Sequence, residues 1–250
     1  MRRYALRDDQ WDRIKDTLPG REGHVGGTAP DNRLFVEAVL FRFRAGIPWR
    51  DLPERFGDWN IVYQRFNRWA KSGVFERIFK LLASDHDNEY MMLDATIVRA
   101  HQHSAGARKK NGEQAIGRSR GGLTTKIHAL VDALGNPVDV MLTGGQAHDL
   151  TCAEPLLETV EPGALLGDKA FDADDFIETL EQRDITTVIP PKANRKAPRH
   201  CDFALYCERN LIERFFNKLK HFRAIATRYD KLARNFLTGV QLACAMILLN

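Results

Sequence analysis

Three acidic residues stand where acids need a reason. Asp94 is the only carboxylate in the otherwise apolar run EYMMLDATIVRA after its opening Glu89, and Asp168 ends a second apolar run, ALLGDKAF. A carboxylate buried in a strand is costly unless it is paired or binds a metal. Alone, each is as readily explained by a salt bridge to a neighbour, or by an exposed strand position. The third, Glu213, lies in YCERNLIERFFNKLKHF. A helical projection at ~100° per residue places Tyr206, Arg209, Glu213 and Lys220 within roughly 60° of one another. That face carries a phenol, a guanidinium, a carboxylate and an ammonium, beside a packed side of Ile212, Phe215, Phe216 and Leu219. A lone Arg209 to Glu213 pair at i, i+4 is ordinary and weak; the full spacing is specific. Acids of this kind, brought to one site, hold hard oxygen-loving cations such as Mg²⁺.

The elements that must position these groups follow from periodicity. Between Glu89 and Lys192 the predicted order is strand, hairpin, helix, strand, helix, strand, with a helical remainder from about Asp202. The hairpin turns at Leu134-Gly135-Asn136, the first helix covers 148 to 160, and the second is DADDFIETLEQR. This order predicts an α/β domain over 85–250, a ribonuclease H-like mixed sheet with flanking helices. Ahead of it, residues 1–84 read as an all-α domain. Helices are expected over 7 to 18, 32 to 44 (capped by Asp31 and ended by Gly46), 59 to 71 (capped by Asp58) and 74 to 83. Between the second and third, Pro48 and Pro53 bracket a short turn-like helix. The third helix offers Gln64, Arg65, Asn67 and Arg68 opposite an apolar stripe of Val62, Phe66 and Trp69. A helix-turn-helix needs such a face in the major groove; a plain helical bundle with a solvated basic face has the same spacing.

Charge supports the division. The 250 residues carry only +4 overall, but residues 1 to 84 carry +5, 85 to 184 carry −9 and 185 to 250 carry +8. Two polyanion-binding surfaces flanking an acidic, cation-holding centre would give this pattern. The segment 101 to 122 is glycine-rich and basic, with Arg108, Lys109, Lys110, Arg118 and Arg120, as suits a loop that orders on a polyanion or a solvated linker. The longest uncharged run, Asn235 to Asn250, is too short to span a bilayer and reads as a buried closing helix. No secretory signal is visible, and the four cysteines lack CxxC spacing, so free thiols in a cytoplasmic protein are expected. The irregular spacing of His200, Cys201, Cys207 and His221 argues against zinc.

Taken together, Asp94, Asp168 and Tyr206, Arg209, Glu213, Lys220 resemble the acids and YREK signature of the DDE transposases of bacterial insertion sequences. AGIPWRDLPERFGDWNIVYQRFNRWAKSGVFE, GRSRGGLTTKIHALVDALGNP and LLGDKAFDAD resemble the IS5 family in particular. The resemblance covers nearly the whole chain and lacks the insertion that related transposases carry before the last catalytic helix. It implies that Asp94, Asp168 and Glu213 are catalytic and hold two Mg²⁺ ions, Mn²⁺ substituting, with Asp94 bridging. It further implies that Arg209 and Lys220 contact DNA phosphates beside Tyr206, and that the head reads terminal inverted repeats. The partners it implies are double-stranded DNA, as element end and target, and further copies of the chain in a homodimer or larger assembly. No membrane is involved, and the expected place of action is the bacterial cytoplasm, at the nucleoid. His148-Asp149, at a helix start, is a further candidate for the site. A nuclease that cuts without joining, or a non-enzymatic DNA-binding copy, are the alternative readings.

Overall fold

The computed structural model describes residues 4–20, 31–105 and 114–250. The glycine-rich stretch after Gly20 and the residues Arg108, Lys109 and Lys110 fall outside these. The chain forms two compact units. The first comprises 1–82, 101–114 and 219–250, the second 83–100 and 115–218.

In the first unit, α1 (Asp8–Ile14), α2 (Asn32–Ala45), α3 (Trp59–Lys71) and α4 (Val74–Leu82) fall close to their predicted positions. At the start of α1 the Gln10 Oε1 accepts from Arg7 N, and a 3-10 turn at Lys15–Thr17 replaces its last predicted turn. Asp31 accepts from Leu34 N, and Gly46 takes the left-handed conformation (φ 72°) that stops α2. Asp58 accepts from both Asn60 N and Ile61 N, which fixes the start of α3. Two 3-10 turns, Trp49–Asp51 and Glu54–Phe56, link α2 to α3 where the paired prolines forbid a longer helix. Aromatic rings fill the interior, with Phe35 on Trp69 (4.7 Å), Phe43 on Phe66 (5.8 Å) and Trp69 on Phe75 (5.5 Å).

The boundary at 84/85 describes only the first of the crossings between the units. The tail returns to the head: after the short α9 (Arg223–Ala226), α10 (Ala233–Leu248) packs against α4, α3 and α2. Its buried Phe236, Val240 and Cys244 supply apolar surface that the head helices need, so the closing helix belongs to the head's core. Gly239 is the point of closest approach, since a Cβ there would stand 2.0 Å from Phe43 Cε1. Gly239→Ala gains about 1 kcal/mol of helix propensity. Overpacking a ring that cannot yield costs more, about 1 to 3 kcal/mol. A thermal melt is expected to show a net fall of several degrees, and an unchanged Tm would mean that α10 does not seat on α2.

The second unit is built on a mixed sheet of β1 (Met91–Ala100), β2 (Gly117–Ser119), β3 (Gly122–Asp132), β4 (Pro137–Gly144), β5 (Ala164–Gly167) and β6 (Thr186–Val188). β4, β3 and β1 run antiparallel in that order, and β5 then β6 continue parallel to β1. This is the ribonuclease H-like arrangement. Asp132 organises the β3–β4 turn by accepting from Leu134 N and Asn136 N, with Gly135 at φ 81°. Leu93, Leu130 and Leu165 meet Leu156 of α5 (Ala153–Leu157) and Phe176, Ile177 and Leu180 of α6 (Asp174–Gln182) on one sheet face.

Three expectations change. β1 is buried on both faces only in its first half, for Ile97 and Arg99 are exposed in the second. The helix expected over 148 to 160 is a 3-10 turn, Asp149–Cys152, followed by the short α5, which carries Pro155. The helix expected from Asp202 is divided into α7 (Phe203–Tyr206), a 3-10 turn at Cys207–Arg209 and α8 (Asn210–Lys220).

Candidate active site

Strand register brings the first two acids level. Leu93 of β1 pairs with Gly167 of the adjacent parallel β5, so Asp94 and Asp168 stand side by side one residue further along. β5 ends there because Asp168 caps the next 3-10 turn, accepting from Ala170 N at 2.8 Å. Asp94 accepts from its neighbour Ala95 N at 2.7 Å. The third acid arrives on α8, and Arg209 joins it to the first. Its Nη1 donates to Asp94 Oδ2 at 2.6 Å and its Nη2 to Glu213 Oε1 at 3.2 Å. The Tyr206 ring lies 5.9 Å from the guanidinium carbon, completing the arrangement.

Burial differs sharply across the site. The side chains of Asp94 and Arg209 are 20% and 18% exposed, whereas Glu213 is 60% exposed. The Asp94–Arg209 contact is therefore the shielded interaction, and the Glu213 contact is largely screened by water. Burial pushes the Asp94 carboxyl above its ordinary range. The Ala95 N–H and Arg209 oppose that push, and the charge of Asp168 adds to it. For Arg209, burial favours the neutral form, but the Asp94 carboxylate outweighs it and raises the guanidinium further.

The three acids offer the hard oxygen donors that suit a divalent cation, and Asp168 adds to the negative charge around Asp94. Among the described residues, no three acids, imidazoles or thiols stand close enough to hold an ion as they are. Arg209 supplies the positive charge between Asp94 and Glu213 instead.

Other candidates are placed elsewhere. Asp149 is held by Lys126 Nζ at 2.8 Å and lies 3.8 Å from His128 Nδ1. Asp94 pairs with Ala129, and Lys126 and His128 alternate with that position. They therefore project from the opposite sheet face, which removes Asp149 from the acidic site. Burial pushes His128 down to about 4, so the ring is neutral at pH 7 and bonds Thr143 Oγ1 at 2.8 Å. Lys220 ends α8 and falls in the first unit. Arg118 and Arg120 are exposed on and beside β2.

On α3, Gln64 and Arg68 are exposed as expected. Arg65 is turned inward. Its guanidinium lies 4.2 Å from the Phe35 ring centre and 4.9 Å from that of Trp69, and it donates to Asn32 Oδ1. Asn67 is half-buried, and its Oδ1 has no hydrogen-bond partner among the described residues. Arg65 thus serves the packing of Phe35 and Trp69.

The sequence reading missed the role of Arg209 as counter-ion to Asp94. Helical spacing announces its contact with Glu213, but no local signal announces a partner 115 residues away.

Residues 86–248 match the family model "Transposase DDE domain", and residues 6–79 match "Putative transposase of IS4/5 family". Among similar proteins, y4sN of Sinorhizobium fredii is 50% identical over 108 residues, 43% of this chain and 86% of that protein. The Brucella ovis "Putative transposase for insertion sequence element IS6501" is 40% identical over 127 residues, 50% of this chain and 98% of its own length. Among solved structures, the piggyBac transposase synaptic complex with hairpin DNA is 13% identical with a TM-score of 0.44. The match covers 77% of this chain but only half of that one.

Proposed function

Because this chain belongs to the IS4/5 family of transposases and carries their DDE domain, we propose that it cuts an insertion sequence free at its ends and joins it to target DNA. Water attacks the phosphorus at the element end, and the bond to the 3′ oxygen breaks to leave a 3′-hydroxyl. That hydroxyl then attacks a target phosphodiester in a direct transesterification, releasing a target 3′-hydroxyl, with no covalent enzyme intermediate. Two Mg²⁺ ions, or Mn²⁺ in their place, would supply the Lewis acidity that lowers the pKa of the water in the first attack and of the 3′-hydroxyl in the second.

Asp94, Asp168 and Glu213 would hold the metal, Asp94 being the acid that both ions would share. Arg209, and Lys220 further along α8, attract the phosphates beside the cut, while Tyr206 braces the guanidinium. Gln64 and Arg68 on α3 reach base edges and phosphates of the terminal inverted repeat in helix-turn-helix fashion, and Arg118 and Arg120 bind the backbone. Two ends must be joined together, so the working form is a homodimer or larger assembly on DNA, acting at the bacterial nucleoid.

The observation that carries this reading is the gathering of Asp94 on β1, Asp168 at the end of β5, Arg209 on the turn before α8 and Glu213 on α8 into a single locality. An assay with intact and pre-cut element ends in Mg²⁺ tests it. Wild-type protein is expected to cut the first and join the second, and Glu213→Gln to do neither while still binding the duplex. Cutting without joining identifies a nuclease; binding without metal-dependent cutting identifies a non-enzymatic DNA-binding protein.

A further inference from the structure

The first unit contains a cleft of about 580 Å³ that the acidic site does not use. Its walls include Trp49, Trp59, Tyr63 and Tyr229, with Arg50 and Lys231 beside them. The rings come from both ends of this unit's sequence, the first three from the α2–α3 connection and α3, and Tyr229 from the segment before α10. Trp49 and Tyr63 pack at 5.6 Å between ring centres. Tyr229, 41% exposed, is stacked on His101 at 4.6 Å with an interplanar angle of 27°, and His101 meets His103 of the cleft wall at 4.7 Å.

Charge decides what such a cleft can take. Its one lining carboxylate, Asp230, is buried and consumed by Arg42, whose Nη1 and Nη2 reach it at 3.0 and 3.4 Å. Arg50 and Lys231, both exposed, pair with no carboxylate among the described residues. The rings already attract planar cations, with Arg42 5.1 Å from the Trp49 centre and Arg50 5.4 Å from that of Trp59. Flat π-faces beside unpaired positive charge suit a ligand that is planar and anionic. Its size is that of a small-ligand site.

We propose that this cleft receives an unpaired nucleobase of a DNA strand, its base stacked on the aromatic rings and its phosphate drawn by Arg50 and Lys231. The base must be unpaired because, within a duplex, its faces are covered by its neighbours. The proposal rests on the reading of this chain as a DNA-binding transposase, and it assigns an aromatic strand-holding site to the first unit.

The test uses the full chain, a short single strand carrying 2-aminopurine, the corresponding blunt duplex, and dAMP alone. Wild-type protein is expected to bind the single strand and alter its 2-aminopurine fluorescence. Trp59→Ala and Tyr229→Ser are each expected to weaken that binding about tenfold or more. Trp59→Phe, which keeps a ring, should retain most of it, and duplex binding should remain near wild type in all three. Circular dichroism of each variant identifies any loss of fold. Single-strand affinity unchanged in folded Trp59→Ala and Tyr229→Ser overturns the cleft while leaving duplex binding intact. Ring-dependent binding of dAMP without binding of the strand overturns the strand as the source of the base. Ring-dependent strand binding by a chain that ignores duplex element ends supports the cleft and overturns the transposase reading.

Discussion

Asp94→Asn is expected to lower the rate of strand cleavage by about a thousandfold or more, while leaving duplex binding nearly unchanged. The side chain keeps its size and can still accept from Ala95 N, so β1 retains its pairing with β3 and β5. What disappears is the negative charge at the point where two strands and α8 bring acids together. An amide oxygen is a weak ligand for a hard divalent cation, and Asp168 with the exposed Glu213 cannot compensate for the missing carboxylate. The measurement is single-turnover cleavage of a labelled element end in Mg²⁺, alongside a gel-shift titration of the same duplex. Wild-type cleavage by Asp94→Asn would remove this residue from the catalytic centre and with it the proposed metal assignment.

The second large effect concerns stability. Arg209→Ala is expected to cost roughly 1 to 3 kcal/mol, because it leaves Asp94 shielded from water and next to Asp168 with no cation beside it. Both partners are less than a third exposed, so solvent screening reduces the contact without erasing it. Glu213 adds little to this figure, since its half of the arrangement is open to water. Urea unfolding gives the size of the loss. Added Mg²⁺ should recover more stability in Arg209→Ala than in wild type, because the ion then enters a site no longer neutralised from within. Equal unfolding midpoints for the two proteins, with equal responses to Mg²⁺, would show that Arg209 is not the counter-ion of the acids.

Much of the fold was legible wherever a single residue decides a local outcome. Asp31 and Asp58 have short side chains that satisfy free amides, so α2 and α3 begin where the sequence says. Gly46 and Gly135 supply left-handed backbone at a helix end and a hairpin turn. Strand order followed from alternating apolar runs and turns, and it sufficed for the ribonuclease H-like sheet. Where several weak preferences compete, as between Tyr206 and Asn210, the same reasoning overextends the helix.

The acids, their order along the chain and the i, i+4 contact of Arg209 with Glu213 were determined by sequence alone, because a contact between near neighbours in the chain is a property of local geometry. Only the tertiary structure decided that Arg209 faces Asp94, that Asp149 projects from the other side of the sheet, that Arg65 turns into the aromatic core, and that α10 completes the head. Each depends on which surfaces meet. An apolar stripe or a free charge records a need for a partner, and only the packed chain selects which distant residue meets it.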